Sequence, residues 1–203
     1  MEIEQQATLD INGAHALPLS PEGKFTRESL LLFSKLNPNI QVELDEKGNL
    51  ILMSPTSIDS GENSGIFYGE LYLWNKQNGK PGHLFDSSTG FTLPDTSVKS
   101  PDAAWIENSR HAALDEKEKS TYARIVPDLV GEVRSKSDKF QDTFVKCKKW
   151  LENGVKEVWC IDPGIKIIIL RKGEEVSFIG DEVAVSKQLM GFEMKASDFV
   201  LTK

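Results

Sequence analysis

Three ionisable side chains occupy positions from which they could act together in catalysis. Asp102 follows Pro101 at the head of an apolar stretch, and Glu132 lies inside a second stretch that we interpret as a buried strand. An ionised carboxylate in such a strand is costly unless it is paired or binds a metal ion. Lys146 lies on a predicted helix, beside its apolar stripe, where its ammonium group could reach the same place. Asp102, Glu132 and Lys146 therefore predict a hydrolytic site.

The oxygen ligands and the cation together indicate a class of reaction. Carboxylates on two neighbouring strands can hold one or two Mg²⁺ ions, which take oxygen ligands and keep several waters. The metal would polarise a phosphate and activate water, while Lys146 would orient the nucleophile or stabilise the developing charge. This set of groups predicts hydrolysis of a phosphodiester. Arg134 stands two residues after Glu132 on the same face of the strand, because side chains alternate along a strand.

Each of these residues also has an ordinary structural interpretation. Asp102 could cap a turn after proline, which is a common use of a Pro-Asp pair. Glu132 and Arg134 could form a structural ion pair on one face of a sheet. Lys146 is one of three lysines in four residues, and such a lysine is usually solvated. The residues alone leave these alternatives open, and only the joint order of Asp102, Glu132 and Lys146 favours a functional site.

The surrounding chain alternates between helical and extended patterns. Helices are predicted over 25–36, with Thr26 as the N-cap, over 59–78, and from a cap at Ser137-Asp138 to about Glu152. A hairpin is predicted from 40–44 and 49–53, around the turn residues 45–48. The segment 108–125 is polar and is predicted as a loop with a short helix. Further strands are predicted over 83–86, 90–93, 98–106, 128–135, 155–161, 165–170 and 176–179.

This order of elements predicts an α/β or α+β fold in which helices pack against a central mixed β-sheet. We expect one domain over residues 1–203, because the chain contains no internal repeat and no interdomain linker. Residues 1–20 show no periodicity and are predicted to form a loose N-terminal arm. Residues 171–203 are predicted to form a C-terminal extension with a strand and a short helix.

The composition restricts the class of protein. It is 39% hydrophobic and 27% charged, and no apolar run approaches the length of a membrane-spanning helix. The first residues lack the pattern of a signal peptide, and the two cysteines, Cys147 and Cys160, lack metal or redox spacing. We therefore expect a cytoplasmic protein with reduced, buried cysteines and without an organic cofactor. The scattered histidines give little support to a histidine-based site: His15, His83 and His111.

The net charge of -7 argues against a protein that coats nucleic acid by bulk electrostatics, but it leaves room for a local basic surface. Lysines and arginines outnumber acids between Arg134 and Lys156. An ordinary solvated helix face would look the same. The candidate DNA contacts in this segment are four lysines: Lys136, Lys139, Lys148 and Lys149.

At these residues the chain resembles a known family. Pro101-Asp102 followed by Glu132-Val133-Arg134 is the pattern of the PD-(D/E)XK nucleases. Closer still, the chain is similar to their bacterial branch of putative restriction endonucleases, which is abundant in cyanobacteria. The resemblance covers roughly residues 43–170. The matching segments are 53–56, 85–94, 100–104, 127–129, 132–135 with 137–138, 154–159 and 161–163.

The resemblance implies a restriction-endonuclease-like fold and DNA hydrolysis that depends on Mg²⁺ or Mn²⁺. Asp102 and Glu132 would be metal ligands, with the backbone carbonyl of Val133 as a further oxygen. Lys146 matches a lysine that has moved from the glutamate strand to the following helix, and Arg134 takes the usual lysine position. Many nucleases of this fold act as dimers, so a homodimer is expected.

The resemblance also places an acid on the first large helix of the fold. It falls at Asp59, an aspartate where the family has glutamate, so Glu62 and Glu70 remain alternatives. Two other functions stay open beside an active endonuclease. One is a catalytically silent nuclease-fold module that binds nucleic acid or a protein partner. The other is a phosphohydrolase of small nucleotides, which the lack of a phosphate-binding glycine loop disfavours.

Overall fold

The computed structural model describes residues 23–200 and shows a mixed α/β fold. The helices are α1 (Arg27–Leu36), α2 (Ile58–Gln77), α3 (Asn108–Ala112), α4 (Glu116–Lys119) and α5 (Phe140–Glu152). The strands are β1 (Val42–Leu44), β2 (Leu50–Leu52), β3 (Gly82–Asp86), β4 (Phe91–Thr92), β5 (Val98–Lys99), β6 (Ala103–Glu107), β7 (Leu129–Val133), β8 (Glu157–Asp162), β9 (Lys166–Arg171), β10 (Glu174–Ile179), β11 (Ala184–Val185) and β12 (Glu193–Met194).

The main sheet has six strands in the order β10-β9-β8-β7-β6-β3. Only the pair β7 and β8 is parallel, and α5 supplies the crossover that a parallel pair requires. Strands β6 and β7 are antiparallel, with Ala103 opposite Gly131. The same register continued by one residue places Asp102 opposite Glu132. The predicted mixed sheet flanked by helices is confirmed.

The two faces of β7 meet different helices, as the alternation of side chains requires. Val130 packs into a core with Cys147 and Trp150 of α5. Gly131 faces the opposite side, where a Cβ atom would come within 2.0 Å of the Phe67 ring of α2. This close approach requires glycine at that position. Glu132 shares the face of Val130, as predicted, and therefore points towards α5.

A smaller sheet with the strand order β2-β1-β5-β4 lies beside the main one. The predicted continuous strand over 98–106 is wrong, because β5 and β6 belong to different sheets. The break falls at Ser100-Pro101, where proline has no N–H to continue the hydrogen-bonded ladder. Asp102 consequently stands at the junction of the two sheets.

The helix starts confirm one predicted cap and correct another. Helix α1 follows Thr26, whose side chain accepts a hydrogen bond from the N–H of Ser29. The predicted cap of α5 at Ser137-Asp138 is wrong, because Lys139 is the N-cap residue and makes no side-chain capping bond. The Ser137 hydroxyl instead donates to Asp138 within a turn that precedes the helix. Helix α2 begins one residue earlier than predicted, after Ser57.

The C-terminal part adds β10 to the edge of the main sheet and the short pair β11 and β12, as an extension that contains strands. A single 3-10 turn follows at Ala196–Asp198. Cys147 and Cys160 are free and buried, as expected. No helix in the span 23–200 is both long and apolar enough to cross a membrane. The predicted arm over 1–20 lies outside the described residues, and the single-domain organisation stays a prediction.

Candidate active site

Asp102 is fixed at the junction of the two sheets by its neighbour in β7. Its Oδ2 accepts a hydrogen bond of 2.7 Å from the N–H of Val133. The side chain of Ser64, from α2, also interacts with the carboxylate. Burial raises the pKa of Asp102 above its ordinary value, and the opposing effects of the Lys146 ammonium and of these two hydrogen bonds do not cancel the rise.

Glu132 is buried, with 3% of its surface exposed, and both of its oxygens are engaged. Oε1 accepts a hydrogen bond of 2.6 Å from the indole Nε1 of Trp150, and Oε2 lies 3.0 Å from the Nζ of Lys146. Burial raises the pKa of Glu132 to about 7, and the nearby Asp102 carboxylate adds to the rise. Trp150 belongs to the core under α5, and no pattern in the sequence pointed to this contact.

Lys146 reaches the site from α5, as its position beside the apolar stripe of the helix predicted. Its Nζ lies 3.0 Å from Oε2 of Glu132, donates to the carbonyl of Ser100 at 3.3 Å, and lies 3.9 Å from Oε1 of Glu43. Burial lowers the pKa of an ammonium group, but Glu132, Glu43 and Asp102 outweigh it and raise the pKa of Lys146 above its ordinary value. Lys146 is thus held in its charged form.

Glu43, on β1, is a residue of this site that the sequence did not reveal. It is only 3% exposed, and its Oε1 accepts a hydrogen bond of 2.9 Å from the N–H of Ser100. The alternation in Val42-Glu43-Leu44 suggests that Glu43 points to solvent, since its two neighbours are apolar. In the fold, the outward face of this small sheet is a wall of the site.

Arg134 is not brought to the site. Its Nε lies 2.5 Å from Oδ1 of Asp162, and its Nη1 donates to the carbonyl of Ser135. Strand β7 ends at Val133, so Arg134 no longer follows the alternation that places Glu132. The structural ion pair considered for Glu132 and Arg134 is not formed either, because each has a different partner.

Of the three candidate acids of α2, one lines the cleft and two do not. Asp59 lines the mouth of the cleft at the first turn of the helix. Glu62 and Glu70 are exposed and do not line the cleft. The α2 residue that interacts with Asp102 is Ser64, and no pattern in the sequence pointed to it.

The predicted cationic face between Arg134 and Lys156 is largely compensated by neighbouring groups. Lys149 pairs with Glu46 at 2.7 Å, and Lys156 pairs with Asp128 at 2.6 Å. Lys148 lies over the ring of Phe144. Within residues 23–200, Lys136 and Lys139 have no ion-pair partner, and of the two only Lys136 lines the cleft.

The cleft that contains these groups has a volume of about 1640 Å³ and an excess of negative charge. Its lysines are Lys47, Lys99, Lys136, Lys146 and Lys149. Its acids are Glu43, Asp45, Glu46, Asp59, Asp86, Asp95, Asp102, Glu132, Asp138 and Asp142. A phosphate would be repelled from such walls unless a further cation entered with it.

The donor groups at the centre of the cleft fit a hard divalent cation. Asp102 and Glu132 offer carboxylate oxygens, and the raised pKa of each carboxyl indicates that the local positive charge is too small to compensate both. In the described part of the chain, no three His, Cys, Asp or Glu side chains converge to hold a metal by themselves. Mg²⁺ needs only one or two carboxylates, because it keeps several waters.

Comparison with models of protein families assigns the chain to a family. The model of the family Uma2, described as putative restriction endonuclease, matches residues 27–197. The chain belongs to this family. The resemblance seen in the motifs around Asp102 and Glu132 is therefore confirmed at the level of the family.

A solved structure supports the fold. The chain is similar to the crystal structure of a putative nuclease belonging to DUF820 from Anabaena variabilis, with a TM-score of 0.64 and 18% sequence identity. The match covers 77% of this chain and 88% of that chain. At this identity the likeness establishes the fold. A comparison with curated proteins gives no match.

Proposed function

We propose that the protein is an endonuclease that hydrolyses DNA phosphodiester bonds with a bound divalent metal ion. The observation that carries the proposal is the meeting of three groups at the sheet junction. Asp102 immediately precedes β6, which pairs with the strand of Glu132, and the Lys146 ammonium lies 3.0 Å from Glu132. Membership of a restriction endonuclease family makes DNA the substrate to test first.

Asp102, Glu132 and the backbone carbonyl of Val133 would hold Mg²⁺ or Mn²⁺. When bound, such an ion polarises the phosphate and lowers the pKa of a water molecule. The excess of acids in the cleft supports this assignment, because the ion would also offset the repulsion of the phosphate. Asp59 would support the site from the start of α2, and Arg134 would support it only indirectly, through the turn after β7.

The remaining residues of the site hold and orient these groups. The Trp150 indole and the Val133 N–H each fix one carboxylate by a hydrogen bond. Lys146 is charged and anchored to the carbonyl of Ser100. We assign it to positioning the attacking water and stabilising the charge that develops on the phosphate.

DNA would approach across the cationic residues around the cleft mouth. Lys136 and Lys139 have no acidic partner in the described chain and are the first candidates for phosphate contacts, followed by Lys148 and Lys149. A homodimer would bring two sites to one duplex, which cutting both strands requires. Sedimentation at micromolar concentration, together with the ratio of nicked to linear product, tests the dimer.

A plasmid-nicking assay with Mg²⁺ and with Mn²⁺ tests the activity. The wild type should convert supercoiled plasmid, and Glu132→Ala should not. Lys146→Ala should lose activity steeply while it binds Mn²⁺ almost normally, since an ammonium group is not a metal ligand. Lys148→Ala, on the same helix, removes only a candidate phosphate contact and should lose much less activity. DNA binding without cleavage in either metal would reject the endonuclease and leave the silent nuclease-fold module.

A further inference from the structure

Glu43 is a buried acid that none of the roles above accounts for. It lies on β1, whose other residues, Val42 and Leu44, pack under α1 with Leu30 and Phe33. Glu43 points the other way, into the cleft, and is only 3% exposed. Burying a carboxylate is costly unless its charge is compensated, so its partners indicate its role.

Those partners connect Glu43 to both halves of the site. Its Oε1 accepts the N–H of Ser100 at 2.9 Å and lies 3.9 Å from Nζ of Lys146, while Oε2 lies 3.1 Å from Nζ of Lys99. The carbonyl of Ser100 accepts a hydrogen bond from the same Lys146 ammonium. The Ser100 peptide is thus held between Glu43 and Lys146, two residues before Asp102.

We propose that Glu43 is a positioning residue, which holds the Lys146 ammonium between two carboxylates and fixes the turn that presents Asp102. This inference rests on the proposed nuclease function. Without the Glu43 charge, the ammonium would be attracted mainly by Glu132, which lies 3.0 Å away. With Glu43 present, the ammonium is also attracted towards β1, where the Ser100 carbonyl accepts its hydrogen bond.

A neighbouring ion pair offers a matched control. Glu46 lies three residues after Glu43 in the same hairpin segment, and Lys149 lies three residues after Lys146 on α5. Their side chains pair at 2.7 Å. Glu46 is exposed, and its ion-pair partner is Lys149. Glu46→Gln therefore removes a similar charge from the rim of the same cleft without removing a contact of Asp102, Glu132 or Lys146.

The first measurement is steady-state cleavage by Glu43→Gln, which keeps the size of the side chain and an acceptor for the Ser100 N–H. We expect kcat to fall by about 10–100-fold, as for a residue that orients a catalytic group, with KM nearly unchanged. Glu46→Gln should keep the wild-type kcat. The Mn²⁺ affinity of Glu43→Gln should also remain unchanged, since Glu43 is not assigned as a ligand.

The second measurement needs no activity. The ammonium resonance of Lys146 in a ¹H–¹⁵N spectrum of the metal-free protein, assigned with Lys146→Arg, should be visible in the wild type and in Glu46→Gln. It should shift or disappear through faster hydrogen exchange in Glu43→Gln. If the wild type cuts no DNA, the nuclease proposal fails, and this spectrum still decides the role of Glu43.

Three results would overturn the inference: an unchanged kcat in Glu43→Gln, an unmoved Lys146 resonance, or a loss of Mn²⁺ affinity that makes Glu43 a ligand. Should Glu43→Gln fail to fold, Glu43→Asp provides the same test, because its shorter carboxylate no longer reaches both Ser100 and Lys146. A folded Glu43→Asp with lower kcat supports the inference, and one with wild-type kcat rejects it.

Discussion

Two buried glutamates on neighbouring strands of one sheet have opposite electrostatic environments. Glu132 of β7 is 3% exposed, and Glu157 of β8 is fully buried. Burial raises the pKa of Glu132 to about 7. Burial also opposes the charge of Glu157, but hydrogen bonds from Ser186, Trp159 and Arg171 outweigh it and lower the pKa of that carboxyl. Because both carboxyls are buried, the opposite shifts of their pKa values must come from their different partners.

The partners of Glu157 are numerous and local to the fold. Its Oε2 lies 2.6 Å from Nε of Arg171 and accepts the backbone N–H groups of Lys187 and Gln188. Its Oε1 accepts the Trp159 indole N–H at 2.8 Å. This carboxylate ties the C-terminal extension to the main sheet. Glu132 has two partners and a second carboxylate nearby, so its negative charge is compensated less well than that of Glu157.

The comparison suggests that Glu157 serves stability and Glu132 serves function. The largest effect should come from Glu132→Gln, which removes a proposed metal ligand and keeps the side-chain volume. We expect cleavage to fall by about 10³-fold or more, with little change in melting temperature. Activity assays and thermal melts on the same preparation measure both. A stable variant with wild-type cleavage would falsify the assignment.

The matched substitution Glu157→Gln should have the reverse effect. It removes the buried one of the two carboxylates that pair with Arg171, and Glu174 remains. We expect a loss of about 3 kcal/mol in the free energy of unfolding. For a chain of this size the melting temperature should fall by roughly 10 °C. Cleavage per folded molecule, measured well below the melting point, should match the wild type.

The sequence predicted the placement of Glu132 correctly, and its functional role stays a prediction. Its strand is apolar, and alternation places it on the face of Val130, opposite the predicted strand of Asp102. The sequence pattern could not distinguish the role of Glu132 from that of Glu157, because both lie in apolar strands. The difference depends on Arg171 and on Ser186, which only the folded chain brings to Glu157.

Other parts of the site depended on contacts between distant segments. The break at Pro101 moves β5 into the small sheet, and this places Glu43 against Ser100, 57 residues away along the chain. The lysines of α5 look like one cationic face in sequence, whereas Lys149 is paired with Glu46 of the hairpin. Periodicity describes a single element, so it predicted the helices and missed these pairings.

A metal titration sharpens the comparison at an intermediate scale. Mn²⁺ at about 100 times its dissociation constant should stabilise the wild type by about 2.7 kcal/mol, because only the folded site binds it. Glu157→Gln should melt at a lower temperature but gain the same increment. Glu132→Gln should gain little. Equal increments in all three proteins, measured by thermal melts with and without Mn²⁺, would place the metal elsewhere.

Acid should reduce the difference between wild type and Glu157→Gln. The folded pKa of Glu157 lies below its ordinary value of 4.5. The carboxylate therefore contributes stability that is fully present above that value and is lost as the pH falls through the folded pKa. Urea unfolding near pH 7 and at about pH 3.5, without metal, measures the change. A stability difference that stayed constant between the two conditions would mean that Glu157 keeps no lowered pKa.

The smallest expected effect concerns the cations around the two glutamates. Near Glu157, the Lys187 ammonium pairs with Glu174 at 2.6 Å, whereas Lys136 lines the cleft of Glu132 and has no ion-pair partner among residues 23–200. Lys136→Ala combined with Lys139→Ala should weaken DNA binding by several-fold. Removing one lysine–phosphate interaction should reduce the log–log salt slope by about 0.9. Lys187→Ala should leave affinity and slope unchanged, because its charge is already compensated.

Fluorescence anisotropy with a labelled duplex, in Ca²⁺ or without metal to prevent cleavage, gives both quantities. If Lys187→Ala reduced the slope as much as the double variant, DNA would approach the face of the C-terminal extension, and the cleft would not be its entry.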